Sequence, residues 1–247
     1  MGGLHTSPLA VIYYSQLEER EGNMLMKCLL ILFLLMPITA FTQTEFQLAD
    51  GSQIRAYLDT PDTVSEDSGH PLVVIMGGGS GDAGIASSAF RSHGEEFIDR
   101  GWAVIAPVSP NGQSFWGDNA AKVRELIAII QQREDIQGGA VLLMGVSNGG
   151  ISALDIASRN PQQYRGVIAV PALASNAATI SPLKDFPVFL RIGSEDRLGW
   201  AKRYDATVQL LENAGVTLDA RLLQGVGHTF ALDWLDLEQW LATLTSS

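Results

Sequence analysis

In the segment Gly145-Val146-Ser147-Asn148-Gly149 a serine stands two positions from a glycine on either side. That spacing lets the chain turn sharply from a strand into a helix with the serine at the apex. The flanking glycines carry no side chain that would clash there. A hydroxyl held in this way can attack a carbonyl carbon, provided that a base takes its proton. The pentapeptide alone is weak, because glycine and serine are common. Here it follows the apolar run AVLLM and precedes a helical pattern, which is the context that the turn requires.

Ser147 therefore needs a base, and the base needs a carboxylate to orient it. On such a turn the acid and then the histidine follow the serine along the chain. Of four histidines, His228 alone lies beyond Ser147, in the loop GVGHTF between the last strand-like and helix-like patterns. The acid belongs at the C-terminal end of a strand, where PVFLRIG-SEDR supplies Glu195 and Asp196. The spacing G-x-x-D favours Asp196, whose task would be to fix the imidazole tautomer and stabilise the imidazolium. Asp155, inside the helix after the serine, and Asp185, before the strand, are worse placed.

An oxyanion hole would combine the backbone N–H of Asn148 with one from the loop Met76-Gly77-Gly78-Gly79-Ser80. Gly78 and Gly79 are both candidates for that second donor. Phe115 and Trp116, in the loop VSPNGQSFWGD, are the expected substrate contacts. His70 and His93 have no partners at metal-ligand spacing, so no metal site is expected and both rings should face solvent. Trp200, Trp234 and Trp240 fall on helical patterns and are expected in the core.

The elements that must position these residues alternate. FQLAD-GS-QIRAYLD (46–59) reads as an antiparallel hairpin turning at Asp50-Gly51, and TPDTVSEDSGHP (60–71) as a polar surface loop. PLVVIM, WAVIAP, AVLLMG, GVIAVP and PVFLRIG are short continuous apolar runs, as expected of strands covered on both faces. TLDARLL (217–223) is a further strand. Helices are expected from about 85 to 100 and over 119–134, 149–159, 200–214 and 230–244. The order implies an α/β fold, a mostly parallel central sheet with helices on both faces, opened by an N-terminal antiparallel hairpin. Between Ala172 and Phe186 there is no length for a sizeable lid.

The 247 residues suit one large domain, and a net charge of −11 argues against nucleic acid as a partner. One cysteine, Cys28, excludes an intrachain disulfide, a four-cysteine zinc site and a cysteine nucleophile in the folded domain. Lys27 followed by CLLILFLLMPITAFTQ is laid out as a secretory signal peptide over 24–43, with a cut after Ala40 or Thr42. That run is too short for an ordinary membrane span, so no stable membrane insertion is expected after its removal. Residues 1–23 fit no leader grammar and read as an extension from a start assigned too early, which leaves 44–247 as an exported (periplasmic or secreted) domain.

Residues 71–244 resemble the α/β-hydrolase family, in particular its small lidless esterases and dienelactone-hydrolase-like members. The motifs that carry the likeness are IMGGGSG, GVSNGG, IGSEDR and GVGHTF. The resemblance implies a serine hydrolase of carboxylic ester-type bonds, with a small-molecule acyl substrate and no cofactor. Two departures stand out. Met76 occupies the place where many esterases have histidine before the glycines. Serine stands where dienelactone hydrolases carry cysteine, which argues against their particular substrate.

Two rivals are weighed against this reading. GSGDAG (79–84) matches a dinucleotide-binding turn, but the next strand ends in Pro107-Val108-Ser109 with no acidic residue for a ribose. A catalytically silent binding protein on the same fold would usually have lost one of the three catalytic residues. Ester, thioester, lactone and small amide would all use the same machinery, as would a small peptidase. The Phe115-Trp116 pair favours an aromatic or short-chain acyl ester.

Overall fold

Runs without polar alternation form the middle of the sheet, because a strand covered by helices on both faces has no solvent side. The computed structural model describes residues 42–62 and 69–244. The expected N-terminal extension, nearly all of the expected leader and the middle of the polar loop lie outside the described residues. Two strands make the hairpin, β1 (Gln43–Gln47) and β2 (Gln53–Asp59), turning at Asp50-Gly51 as the sequence implies. Then follow β3 (Leu72–Met76), β4 (Ala103–Val108), β5 (Val141–Gly145), β6 (Tyr164–Ala169), β7 (Pro187–Gly193) and β8 (Thr217–Leu223). They form one sheet in the order β1-β2-β4-β3-β5-β6-β7-β8. The hairpin joins it antiparallel, through β2 on β4, and every later pairing is parallel.

Alternate side chains of each central strand enter opposite layers. From β3, Leu72, Val74 and Met76 pack with α3 (Asp118–Ile130) and α4 (Asn148–Arg159) in one layer. Val73 and Ile75 pack on the other face, with α1 (Ala83–Ala89), a π turn (Phe90–Gly94) and α2 (Glu95–Asp99). The helix α7 (Trp234–Leu244) completes that second layer through Leu237 and Trp240. The short α5 (Ala177–Ile180) and the following turn are no lid. Ala172, Leu173, Ile180, Leu183 and Phe186 are all buried in the first layer, beside α6 (Tyr204–Asn213).

Register decides which loops meet. Met76 pairs with Gly145, so the glycine loop after β3 emerges beside the serine turn after β5. Gly193 pairs with Leu223, which brings the loop after β7 next to the loop that carries His228.

The expectation that His70 faces solvent is wrong. It is 4% exposed, its backbone bonds to Asp135 and Gln137, and its Nδ1 lies 3.0 Å from the Gly101 carbonyl oxygen. The ring pins the start of β3 to neighbouring loops, so its polar atom is used inside the protein.

One charge sits inside the sheet. Arg191 of β7 is 2% exposed and lies over the Phe189 ring, its guanidinium carbon 3.6 Å from the ring centroid. It donates to Asp236 at 2.6 Å, to the Asp219 carbonyl at 2.9 Å and to that residue's carboxylate at 3.0 Å. A buried guanidinium is tolerable only with such partners, and removing it leaves the largely buried Asp236 carboxylate with the more exposed Arg221, at 2.8 Å, as its remaining ionic partner. The pair ties β7 to β8 and to the first turn of α7. Arg191→Ala is therefore expected to lower the free energy of unfolding by about 3–5 kcal/mol in urea melts. A loss below about 1 kcal/mol would place the network among interactions of no consequence for the fold.

Candidate active site

Ser147 sits at the junction of β5 and α4 with φ 56° and ψ −122°, a conformation that side-chain-bearing residues seldom adopt. Neighbouring backbone enforces it. The Val146 amide donates to the Met76 carbonyl at 3.0 Å, and the Ser147 amide to the Pro171 carbonyl at 2.8 Å. One turn on, α4 passes so close to β3 that a Cβ on Gly149 would lie 2.1 Å from the Met76 carbonyl oxygen. Only glycine fits there, which is the physical content of the second glycine of the motif.

The structure brings Ser147, His228 and Asp196 together. His228 Nε2 lies 2.9 Å from Ser147 Oγ, and His228 Nδ1 lies 2.6 Å from Asp196 Oδ2. An ionised carboxylate only accepts, so the proton of the neutral ring belongs on Nδ1 and Nε2 is left to accept from the serine hydroxyl. The Asp196 side chain is sealed from solvent, and its other oxygen accepts from the Leu198 amide at 2.7 Å. Glu195, its neighbour in the same turn, is exposed.

Backbone contacts position both loops, aided by the Gly225 amide donating to Ser194 Oγ at 3.0 Å. A Cβ on Gly193 would lie 2.1 Å from the Gly227 carbonyl oxygen, and the Glu195 amide donates to the Val226 carbonyl at 2.8 Å. The acid and histidine loops are thus stitched together immediately beside their functional residues. Trp200 packs against the imidazole at a centroid distance of 5.0 Å and an interplanar angle of 84°. The expectation that Trp200 is a core residue missed this contact. Trp240 is buried as expected, and Trp234 is half-buried beside Phe97.

The oxyanion candidates flank the serine. A Cβ on Gly78 would lie 3.0 Å from Ser147 Cβ and 3.7 Å from Oγ, so Gly78 lets the loop after β3 close on the nucleophile. Gly79, at φ 53°, follows, and its carbonyl accepts from the Asn148 side-chain amide at 3.1 Å. Among the described residues no acceptor takes the backbone N–H of Gly78, Gly79 or Asn148. The GSGDAG segment has its own use: Asp82 caps α1, accepting from the Gly84 and Ile85 amides. Its carboxylate fills the place that a dinucleotide phosphate would need.

Two cavities adjoin at Gly79, beside the serine. One, of about 740 Å³, is lined by Ser147 and His228 together with Ile85, Val146, Val170 and Phe230. The other, of about 790 Å³, shares Gly79 with the first, reaches Asn148 and continues past Asn111, Gln113 and Trp116. Trp116 is 44% exposed on its wall. Phe115 corrects the expectation of a substrate contact: it is fully buried and packs under Gly81, lining neither cavity. Ser114 and Phe115 turn inward while Trp116 stays exposed, and a buried Asn119, bonded to Ser109, Asn111 and Ser114, holds the loop in place.

His93 is the second histidine whose expected exposure is wrong. It is 8% exposed and lines the first cavity together with the serine. The spacing of Ala86, Phe90, His93 and Phe97 does carry the signal, since it puts the histidine on the apolar stripe of the helical segment.

Comparison with known proteins agrees with this fold. Solved structures of the α/β-hydrolase fold superpose on the chain. One described as a thermostable esterase has a TM-score of 0.64 at 16% identity, covering 85% of this chain and 63% of its own. The chain thus spans less than two thirds of that protein. Thermogutta terrifontis esterase 2, phosphonylated by cyclosarin, has a TM-score of 0.62 at 16% identity over 83% of this chain and 92% of its own. A ferulic acid esterase has a TM-score of 0.62 at 16% identity over 83% and 97%. A search of curated protein sequences finds no match. The class of protein is therefore an α/β hydrolase. The dienelactone hydrolase family profile matches residues 110–236, just over half of the chain, and the chain belongs to that family.

Burial holds the His93 ring in its neutral form, with the pKa lowered from 6.5 to about 4. In the unfolded chain the ring binds a proton below about 6.5, and in the folded protein only near 4. The unfolded state therefore takes up more protons between these values, and stability falls as pH drops through that window. The contribution is complete above about pH 7 and reaches at most about 3 kcal/mol of loss by pH 4. Denaturant melts at pH 7 and pH 4.5 are expected to show a smaller acid loss for His93→Phe than for the unsubstituted protein. Equal losses would mean that the ring titrates normally in the fold.

Proposed function

We propose that this hydrolase cleaves carboxylic esters through an acyl-enzyme formed on Ser147. What supports the reading above all is the unbroken pair of hydrogen bonds from Ser147 through His228 to Asp196. A serine on a strained turn, a base that touches it and a sealed carboxylate behind the base is the arrangement that makes an alcohol nucleophilic near neutral pH. A phosphonylated esterase of the same fold is consistent with it.

In the proposed reaction, Ser147 Oγ attacks the carbonyl carbon while His228 Nε2 takes the hydroxyl proton. The carbonyl oxygen becomes an oxyanion, which the backbone N–H of Asn148 and that of Gly78 or Gly79 would stabilise. Asp196 keeps its charge and stabilises the imidazolium across Nδ1. As the intermediate collapses, the imidazolium gives its proton to the departing alkoxide, leaving an ester on Ser147. Water then attacks that ester, with His228 again as the base, and the acid product leaves with the serine restored.

The two cavities give the substrate two arms of unlike character. Ile85, Val170 and Phe230 favour an apolar or aromatic arm, whereas Asn111, Gln113 and the exposed Trp116 favour a polar one. Among the described residues no large segment closes over either, so modest-sized soluble esters fit better than an aggregated lipid.

Hydrolysis of short p-nitrophenyl esters tests the proposal. Ser147→Ala is expected to abolish turnover with the fold intact, and Asp196→Asn to lower kcat by about 10⁴-fold. Glu195→Gln should cost far less. Near-normal activity in Ser147→Ala would remove the serine from the chemistry, and the opposite ranking of the two acids would move the orienting role to Glu195.

A further inference from the structure

The proposed chemistry makes no use of His93, yet this ring lines the cavity that holds Ser147 and His228. Its environment is unusual for a buried histidine. His70, the other buried histidine outside the catalytic trio among the described residues, uses its Nδ1 on the Gly101 carbonyl oxygen. Neither nitrogen of His93 has a hydrogen-bond partner among the described residues. Thr207 Oγ1 is the one side-chain polar atom among them that is both sealed and unpartnered, so the His93 nitrogens keep contact with the cavity. A desolvated polar group without a partner costs about 1–3 kcal/mol, and a fold keeps it when something else satisfies it.

The cavity indicates the chemistry of that partner. Among its described lining residues no Asp, Glu, Lys or Arg occurs, and Ile85, Ala89, Val146, Val170 and Phe230 are part of its apolar wall. A charged arm would be desolvated there with no counter-ion. A ring nitrogen of a neutral imidazole is a donor or an acceptor according to the tautomer, and a hydroxyl, which both donates and accepts, can pair with it in either case. Ser88 and Ser92, one turn apart on the same helical segment, add hydroxyls at the rim.

We propose that His93 is a specificity residue that hydrogen-bonds a neutral hydroxyl on the apolar arm of the substrate, so that the preferred esters carry a hydroxylated, mainly apolar acyl arm. This rests on the serine-esterase reading of the same site. Discrimination should follow from the unpaired imidazole: an arm without the hydroxyl leaves His93 desolvated and unsatisfied, whereas a hydroxylated arm does not.

The test compares methyl 3-phenylpropanoate with its 3-hydroxyphenyl and 4-hydroxyphenyl counterparts. At least one hydroxylated ester is expected to exceed the unsubstituted one about tenfold in kcat/KM, mainly through KM. His93→Leu should bring that ratio close to one, and His93→Gln, which still donates and accepts, should restore part of it. Thermal melts check that both variants fold. A second arm needs no turnover: the matching ketones 4-phenylbutan-2-one and its 3- and 4-hydroxyphenyl forms are titrated into Ser147→Ala. A binding preference for a hydroxylated ketone that disappears on adding His93→Leu supports the role of His93 even if no ester is cleaved, an outcome that would count against the esterase reading alone. Equal binding of all three ketones, or a hydroxyl preference that survives His93→Leu, overturns the proposal.

Discussion

The backbone of Ser147 is the constraint on which the rest of the site depends. A residue with a side chain at φ 56° costs on the order of 1–3 kcal/mol, and it stays there only where its surroundings leave no alternative. Those surroundings are the parallel pairing of β3 with β5, the amide bonds of Val146 to Met76 and of Ser147 to Pro171, and the approach of Gly149 to the Met76 carbonyl. These contacts join the serine turn to two places, the end of β3 at Met76 and the segment after β6 at Pro171. The strain is therefore spread over the centre of the sheet, where burial is complete and the backbone has least freedom.

The same strategy recurs on the acid and histidine side. Gly193 against Gly227, with the Glu195 amide on Val226, couples two loops that come from neighbouring strands. Arg191 acts one layer away: it ties β7, β8 and α7 together, and β7 is the strand from which Asp196 departs. The site is thus built by strand ends in fixed register, and side-chain contacts such as Trp200 on His228 refine it.

Much of this was legible in the residues. The strands announced themselves as unbroken apolar runs, the turn as a glycine spacing, and the base by being the last histidine in the chain. Asp196 could be preferred over Glu195 by one spacing rule. What escaped depended on side-chain direction or on long-range packing. Phe115 and Trp116 are adjacent, and no local pattern says which of two neighbours in an irregular loop turns inward; Asn119, several residues away, helps to hold that loop. His70 and His93 look polar in isolation, and their burial follows from neighbours distant in sequence or, for His93, from a stripe shared with Ala86, Phe90 and Phe97. The lone charge of Arg191 within an apolar strand carries no sign of its partners Asp219 and Asp236.

The central claim is that the Ser147 hydroxyl is activated by His228 in the folded protein. A fluorophosphonate reacts with a hydroxyl so activated and leaves a covalent mass on that residue. Intact-protein and peptide mass spectrometry after brief exposure should find one adduct, on the peptide containing Ser147, and its formation should be strongly slowed in His228→Ala. An adduct on another residue, or labelling of Ser147 at the same rate without the imidazole, would contradict the account.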